Sequence, residues 1–317
     1  KDAEIIFLTR NHIGNLNQLI SSKGYEVRSL PLLVDGLQSK LSGYEQWLGV
    51  EQEVDAKQSI ALLDGTEPDL LIVDHYALDK GWESRLRPYV KTIFVVDDLA
   101  NRKHDCDWLL DQNYNLDITR YDRWATADTV KLLGPQYSLL RDEFTRWRAH
   151  IRYRKGRINR IFLFFGGSDP DNLTLLVLRA LQHPQLCHIA VDVVIGIGNP
   201  YGNDIQNFVA EHPNTKLYVQ VENMAELMIN TDLAVGAGGS TTWERMALGL
   251  PSVVVTIAEN QIPFARALSE DGYLTWLGSG QDIDQPRVEN SLLGLINQPK
   301  KLSAQSLKCQ ELVDGHG

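Results

Sequence analysis

Residues 236–244, GAGGSTTWE, combine features suited to holding an anion beside a sugar. Gly238 and Gly239 remove side chains where a ligand would approach the backbone closely. The amides of Gly238, Gly239, Ser240 and Thr241 open a helix. Free N–H groups there attract phosphate, and the helix dipole adds roughly 0.3–1 kcal/mol. Glu244 lies one turn in, where its carboxylate can accept both hydroxyls of a ribose. Thr241 and Glu244 also have the spacing of a capping box, in which the glutamate only closes the helix start. Spacing alone leaves both roles open. A second glycine turn, Gly166-Gly167-Ser168-Asp169, also follows an apolar run and opens a helix. Gly167 and Ser168 can add N–H groups to such a site, or Ser168 or Asp169 can simply cap the helix. The third cluster is Asp74-His75-Tyr76. A histidine near its ordinary pKa of about 6.5 can act as general base or orient a water. Tyr76 can donate to a leaving phosphate or hold a sugar. The plain alternative is that Asp74 caps a turn and His75 is a satisfied structural residue.

Each cluster follows a strand-like run. Asp69–Val73 (DLLIV) and Thr92–Val96 (TIFVV) are nearly continuous apolar stretches, the pattern of a parallel sheet covered on both faces. Glu4–Thr9, Tyr25–Leu30 and Asp107–Leu110 read as further strands, with helices at Asn15–Lys23, Val54–Asp64 and Lys80–Tyr89. Residues 35–53 read as polar and irregular. A second series starts at Arg160–Phe165 (RIFLFF) and continues through Val191–Ile195, Lys216–Gln220, Leu233–Val235, Ser252–Ile257 and Leu274–Leu277, with helices between them and a last one at Val288–Ile296. Strands alternating with helices predict α/β sheets whose ligands sit past the strand C-termini. The expectation is two Rossmann-like domains facing a cleft, 1–150 and 151–317. The arginine-rich run 146–160 opens as a basic helix and reads as the link between them.

The chain has 317 residues, 43% hydrophobic and 23% charged, which is an ordinary globular balance with room for two cores. Its net charge of −10 argues against a nucleic-acid partner and requires that an anionic ligand be held by local N–H groups. The three cysteines, Cys106, Cys187 and Cys309, are scattered. They favour neither a disulfide framework nor a zinc site, and a reducing cytoplasm is expected. No run approaches the ~18 apolar residues of a membrane span, and no signal peptide is visible.

The string G-x-G-G-S-T-T-W-E-R-x-x-x-L-G-L-P followed by I-A-E-N-Q resembles the C-terminal half of the UDP-sugar hydrolases of pseudaminic acid biosynthesis, which belong to the GT-B group. The D-H-Y string at Asp74–Tyr76, D-D-L-A-N-R at Asp97–Arg102 and L-G-P-Q-Y-S-L-L-R at Leu133–Arg141 extend the resemblance over nearly the whole chain. The resemblance implies a GT-B-like α/β fold. It implies that Gly238, Gly239, Ser240 and Thr241 hold the UDP diphosphate, that Glu244 binds ribose, and that Asn260 and Gln261 face the sugar. Gly167 and Ser168 would contribute to the nucleotide-sugar site, and Asp74, His75 and Tyr76 would be the catalytic group. Members of that family usually begin with another strand and a G-x-G-H turn, whose histidine is thought to position the attacking water. This chain has no G-x-G-H, and His12 lies in a different motif, R-N-H-I-G. The first domain is therefore expected to be short of one strand, either as part of a longer chain or as a divergent member.

The implied reaction is hydrolysis of a UDP-linked 2,4-diacetamido-2,4,6-trideoxy hexose by water attack at the anomeric carbon with inversion. It would need neither cofactor nor metal, and a cytoplasmic monomer without membrane insertion is expected. Two alternatives stay open. One is a GT-B glycosyltransferase using the same donor, and the other is a sugar-nucleotide binder without turnover.

Overall fold

A computed structural model describes residues 3–32, 41–115 and 117–317. The chain divides into two compact units, the first comprising Lys1–Asp111 with Asp117–Leu133, the second Gln112–Leu116 with Gly134–Gly317.

In the first unit, β1 (Ile6–Arg10), α1 (Asn17–Ser22) and β2 (Glu26–Leu30) form a parallel β-α-β pair. Next come α2 (Glu45–Leu48) and α3 (Gln52–Leu63), so the stretch expected to be irregular carries a short helix; residues 35–40 of that stretch lie outside the described part. Then β3 (Leu71–Val73), α4 (Lys80–Leu86), β4 (Ile93–Val96), β5 (Trp108–Asp111) and β6 (Val130–Leu133) build a four-stranded parallel sheet in the order β3-β4-β5-β6. β6 was not legible in the sequence, because VKLL alternates weakly and none of its residues is fully buried. Leu86, Ile93, Leu109 and Tyr121 centre the core. Among the described residues β1 pairs only with β2 and β3 only with β4. Leu70 and Ile72 accordingly stand 50% and 60% exposed.

The second unit opens with α5 (Asp142–Arg148). It continues as β7 (Arg160–Phe164), α6 (Leu173–Ala180), β8 (Ala190–Ile195), α7 (Gly202–Glu211), β9 (Thr215–Val219), α8 (Met224–Ile229), β10 (Leu233–Ala237), α9 (Thr241–Ala247), β11 (Ser252–Thr256), α10 (Ile262–Glu270), β12 (Thr275–Ser279), α11 (Gln285–Ile296) and α12 (Pro299–Leu312). Its six strands are parallel, in the order β12-β11-β10-β7-β8-β9. Every residue of β10 and β11 is buried, as befits strands covered on both faces. One face packs Leu163, Val235 and Val253 against α6 and α11, and the other packs Phe162, Ala234 and Met228.

Two expectations about helices change. α12 was not read from the sequence because its composition is largely polar; it folds by burying Leu302, Ser306 and Cys309. The arginine run is not a continuing helix either, since α5 ends at Arg148. Its charges instead serve chain ends within this unit. Arg154, 3% exposed, donates to the carbonyls of Leu248 and Gly249 just past α9 and to those of Ile229, the last residue of α8, and Thr231 beyond it. Arg148 donates to Ala247 O and Gln310 O. Guanidinium groups at helix C-termini satisfy carbonyls that have no partner in the helix and complement the dipole.

Candidate functional site

In the second unit the chain runs β7-β8-β9 in one direction, then returns to the other side of β7 for β10 and continues outward through β11 and β12. The order reverses between β7 and β10. In an open parallel sheet this switch point leaves a crevice past the strand C-termini, where the following loops part. The turn after β7 holds Gly167 and Ser168. The turn after β10 holds Gly238–Thr241, and the short helical turn after β11 holds Asn260 and Gln261. The strand order thus gathers three segments up to about 95 residues apart at one end of one sheet.

The turn after β10 is built for exposed amides. Gly238 N–H donates to Val255 O at 3.1 Å and so extends the ladder. That removes Gly238 from the anion-holding set. The amides of Gly239, Ser240 and Thr241 have no acceptor among the described residues. α9 then begins, with Thr242 N–H on Gly239 O (2.9 Å) and Trp243 N–H on Ser240 O (3.0 Å). Gly236 is glycine because a Cβ there would overlap the Phe164 carbonyl oxygen of the neighbouring strand and lie 2.8 Å from Arg245 Nη1. Gln261 covers this turn. Its Oε1 accepts the Ile257 amide (2.9 Å) and would stand 3.3 Å from a Cβ on Gly238, with Nε2 3.8 Å from one on Gly239. Asn260 is exposed beside it.

Glu244 does not form a capping box. The N-cap is Ser240, and no side chain caps α9. The Glu244 carboxylate instead accepts from Arg141 Nε at 3.1 Å, while Arg141 Nη1 reaches Glu143 at 2.9 Å. Burial raises the Glu244 pKa, and Arg141 opposes that rise. Arg141 and Arg245 were not singled out in the sequence, although both lie within the strings quoted above. Only the tertiary structure places Arg141, 103 residues earlier in the chain, on Glu244.

The turn after β7 divides its labour. Asp169, 3% exposed and at φ 41°, accepts the Leu173 and Thr174 amides at 3.0 and 2.9 Å, so Asp169, not Ser168, caps α6. Ser168 is exposed and makes no hydrogen bond among the described residues. Gly167 O accepts Gly196 N–H, and a Cβ on Gly196 would come within 2.5 Å of that oxygen. Replacing Asp169 with Ala is expected to cost about 1–2 kcal/mol by removing both partners of the α6 N-terminus. A denaturant midpoint unchanged from wild type would exclude this role.

In the first unit, Asp74-His75-Tyr76 sits at the C-terminal end of β3. His75 Nδ1 accepts the Ala77 amide at 3.0 Å, and the ring also hydrogen-bonds the Trp47 backbone. Burial, the dominant cause, lowers its pKa and so favours the neutral ring. Both ring nitrogens are engaged, which suits an orienting group better than a base. The Asp74 pKa is raised by burial and by the Asp98 charge. Burial and a hydrogen bond to Asp98 also raise that of Tyr76. Tyr76 stacks at a tilt on Tyr44 (5.0 Å between ring centroids) and approaches Trp47 (6.1 Å). Tyr44 and Trp47 are members of this cluster that the sequence did not mark, because they lie about 30 residues away without a motif. Asp97 in the adjacent D-D string is buried on Arg102 and Tyr121 and is structural.

Six parallel strands with a glycine turn at the switch point make this an open α/β unit, and comparison with known proteins gives its class. Residues 161–315 match the glycosyltransferase family 28 C-terminal domain, and the chain has a GT-B-like α/β fold. The fold is that of LpCGTa in complex with UDP (TM-score 0.64, 12% identity, 97% of this chain and 87% of that one). Among curated relatives, the chain is similar to the UDP-2,4-diacetamido-2,4,6-trideoxy-beta-L-altropyranose hydrolase of Campylobacter jejuni, at 27% identity over 216 residues, 68% of this chain and 76% of that protein. The resemblance read from the sequence therefore stands. It is also 30% identical to the spore coat polysaccharide biosynthesis protein SpsG of Bacillus subtilis over 58% of this chain. The chain spans about half the length of that relative (54%), and 40% of an uncharacterized protein from Methanocaldococcus jannaschii. Among the described residues no helix is long and apolar enough to cross a membrane.

Proposed function

We propose that the protein binds a UDP-sugar and hydrolyses it to UDP and free sugar. UDP binding is assigned to residues 151–317, and the sugar and water chemistry to residues 1–150. The observation that carries the reading is the set of three amides, Gly239, Ser240 and Thr241, left without acceptors at the switch point of a parallel sheet. The first amides of a helix have no partner within it, and a diphosphate supplies acceptors for all three. In this reading Glu244 takes the ribose hydroxyls and Gln261 and Asn260 face the sugar, with Gly167 and Ser168 beside them. Similarity to the Campylobacter hydrolase supports a 2,4-diacetamido-2,4,6-trideoxy hexose as the sugar and pseudaminic acid synthesis as the context. Water oxygen would attack the anomeric carbon, the bond from that carbon to the diphosphate oxygen would break, and UDP would leave with the electron pair, stabilised by the amides. Asp74, His75 and Tyr76 are assigned to the water and the sugar. In this reading His75, neutral, orients the water, and Asp74, whose pKa burial raises, takes the proton.

The glycosyltransferase-type domain match favours one second reading, transfer of the sugar to an acceptor. A single experiment separates the two. The protein is incubated with the UDP-linked sugar in water labelled with heavy oxygen, and the products are followed by NMR. Label on the anomeric carbon with inverted configuration is expected. Label on phosphate would overturn attack at the anomeric carbon, and UDP release only when an acceptor alcohol is added would overturn hydrolysis.

A further inference from the structure

Arg245 is the most deeply buried charge beside the candidate UDP turn, at 1% exposure, and no role has so far been assigned to it. Its Nη2 donates to Ala237 O at 2.8 Å and to Thr242 Oγ1 at 2.9 Å. These two acceptors flank residues 238–241, so one planar group ties the two ends of the turn together from beneath. Its Nη1 lies under Gly236, in space that exists only because Gly236 has no side chain. Its Nε has no partner, and no carboxylate lies within ion-pairing distance of it among the described residues. The neighbouring Glu244 is turned to Arg141 instead.

A buried cation without a direct ion-pair partner is disfavoured, and proteins normally pair such groups. Burial lowers the Arg245 pKa to about 10, which still leaves the guanidinium charged at neutral pH. The Glu244 charge, one residue earlier, offsets that burial in part without forming an ion pair with Arg245, and an anion held by the amides of Gly239, Ser240 and Thr241 would offset it further.

We propose that Arg245 is a positioning residue for the diphosphate: it clasps the turn at Ala237 and Thr242 and sets a buried positive charge behind the amides of Gly239, Ser240 and Thr241. The inference rests on the UDP-binding reading above. It also gives a chain of net charge −10 a local positive charge toward a polyanion. Arg245 need not touch the ligand, because charge acts through the thin glycine backbone in a medium of low dielectric.

The test measures binding of UDP, uridine and inorganic pyrophosphate by calorimetry to the wild type, Arg245→Gln and Arg245→Lys, together with thermal melts of each. Removing the charge should weaken UDP and pyrophosphate by about 10–100-fold while changing uridine by less than about threefold. Lys keeps the charge but carries it on a shorter side chain without the planar fork, so it should lose several-fold for UDP and little for uridine. A melt that falls while UDP affinity holds, or equal losses for UDP and uridine, would overturn the proposal by making Arg245 purely structural. If Arg245→Gln does not fold, the Lys variant decides, and wild-type UDP affinity there overturns the clasp. A wild type that binds pyrophosphate but not UDP would defeat the nucleotide reading and leave the role of Arg245 to the pyrophosphate series. One that binds neither defeats both.

Discussion

Gly236→Ala should lower the stability of the second unit by about 3 kcal/mol or more, the upper end for overpacking a single methyl. The added Cβ would overlap the carbonyl oxygen of Phe164, which faces Gly236 across the β10–β7 pair. That oxygen belongs to the ladder and cannot retreat without breaking it. The other neighbour, Arg245 Nη1 at 2.8 Å, is pinned to Ala237 and Thr242. For a unit of this size the loss corresponds to a fall in Tm of roughly 6–12 °C. Gly239→Ala is the control that separates fold from function. There a Cβ meets only Gln261 Nε2, at 3.8 Å, and the backbone is not in the left-handed region. Its Tm should stay within a degree or two of wild type while UDP affinity falls, because the methyl stands over the open amides. Calorimetric melts and UDP titrations of both variants decide the matter. A wild-type Tm for Gly236→Ala would refute the packing account, and wild-type UDP affinity for Gly239→Ala would refute the site.

Glu244→Ala should reduce affinity for both UDP and uridine by about 10–100-fold, the range for losing a buried acceptor shared by two hydroxyls. Stability should hardly move. The carboxylate caps nothing, and its partner Arg141 is 49% exposed, so that ion pair contributes little. The sign of the pH dependence follows from burial. The folded-state pKa is raised above the ordinary 4.5, so ionised Glu244 is mildly unfavourable in the fold at neutral pH. That cost vanishes as pH falls through the raised value, where the folded state takes up its proton. Glu244→Gln should therefore match or slightly exceed wild-type stability near neutrality and lose that margin on acidification. Ligand binding runs the other way. A protonated Glu244 cannot accept two hydroxyls, so uridine affinity should drop across the same acid range in wild type and stay flat in Glu244→Gln. A large Tm loss in Glu244→Ala with UDP affinity intact would restore a structural role for the residue.

The contrast between Asp169 and Ser168 shows how far spacing can reach. Both were candidate caps for α6, since Ser and Asp are interchangeable in that role at sequence level. The left-handed conformation of Asp169 turns its carboxylate onto two amides and leaves Ser168 facing solvent. The same limit applies at Glu244, where the Thr-x-x-Glu spacing of a capping box is present but a distant arginine takes the carboxylate.

The sequence by itself determined the alternation of strands and helices, the parallel α/β class and the strand ends at which the polar clusters lie, because buried two-faced strands must be apolar and glycine turns must follow them. It also marked Gly239, Ser240, Thr241 and Glu244 as the residues worth testing. Only the tertiary structure decided which amides lack acceptors, since the Gly238 amide is spent on Val255 in a neighbouring strand. It alone showed that the arginines of the basic run finish helices distant in sequence and that Arg245 closes under the turn. The reason is physical. Local pattern fixes hydrophobic periodicity and turn chemistry, whereas the partner of a charge or an amide depends on which segments the sheet order brings together, up to a hundred and more residues apart.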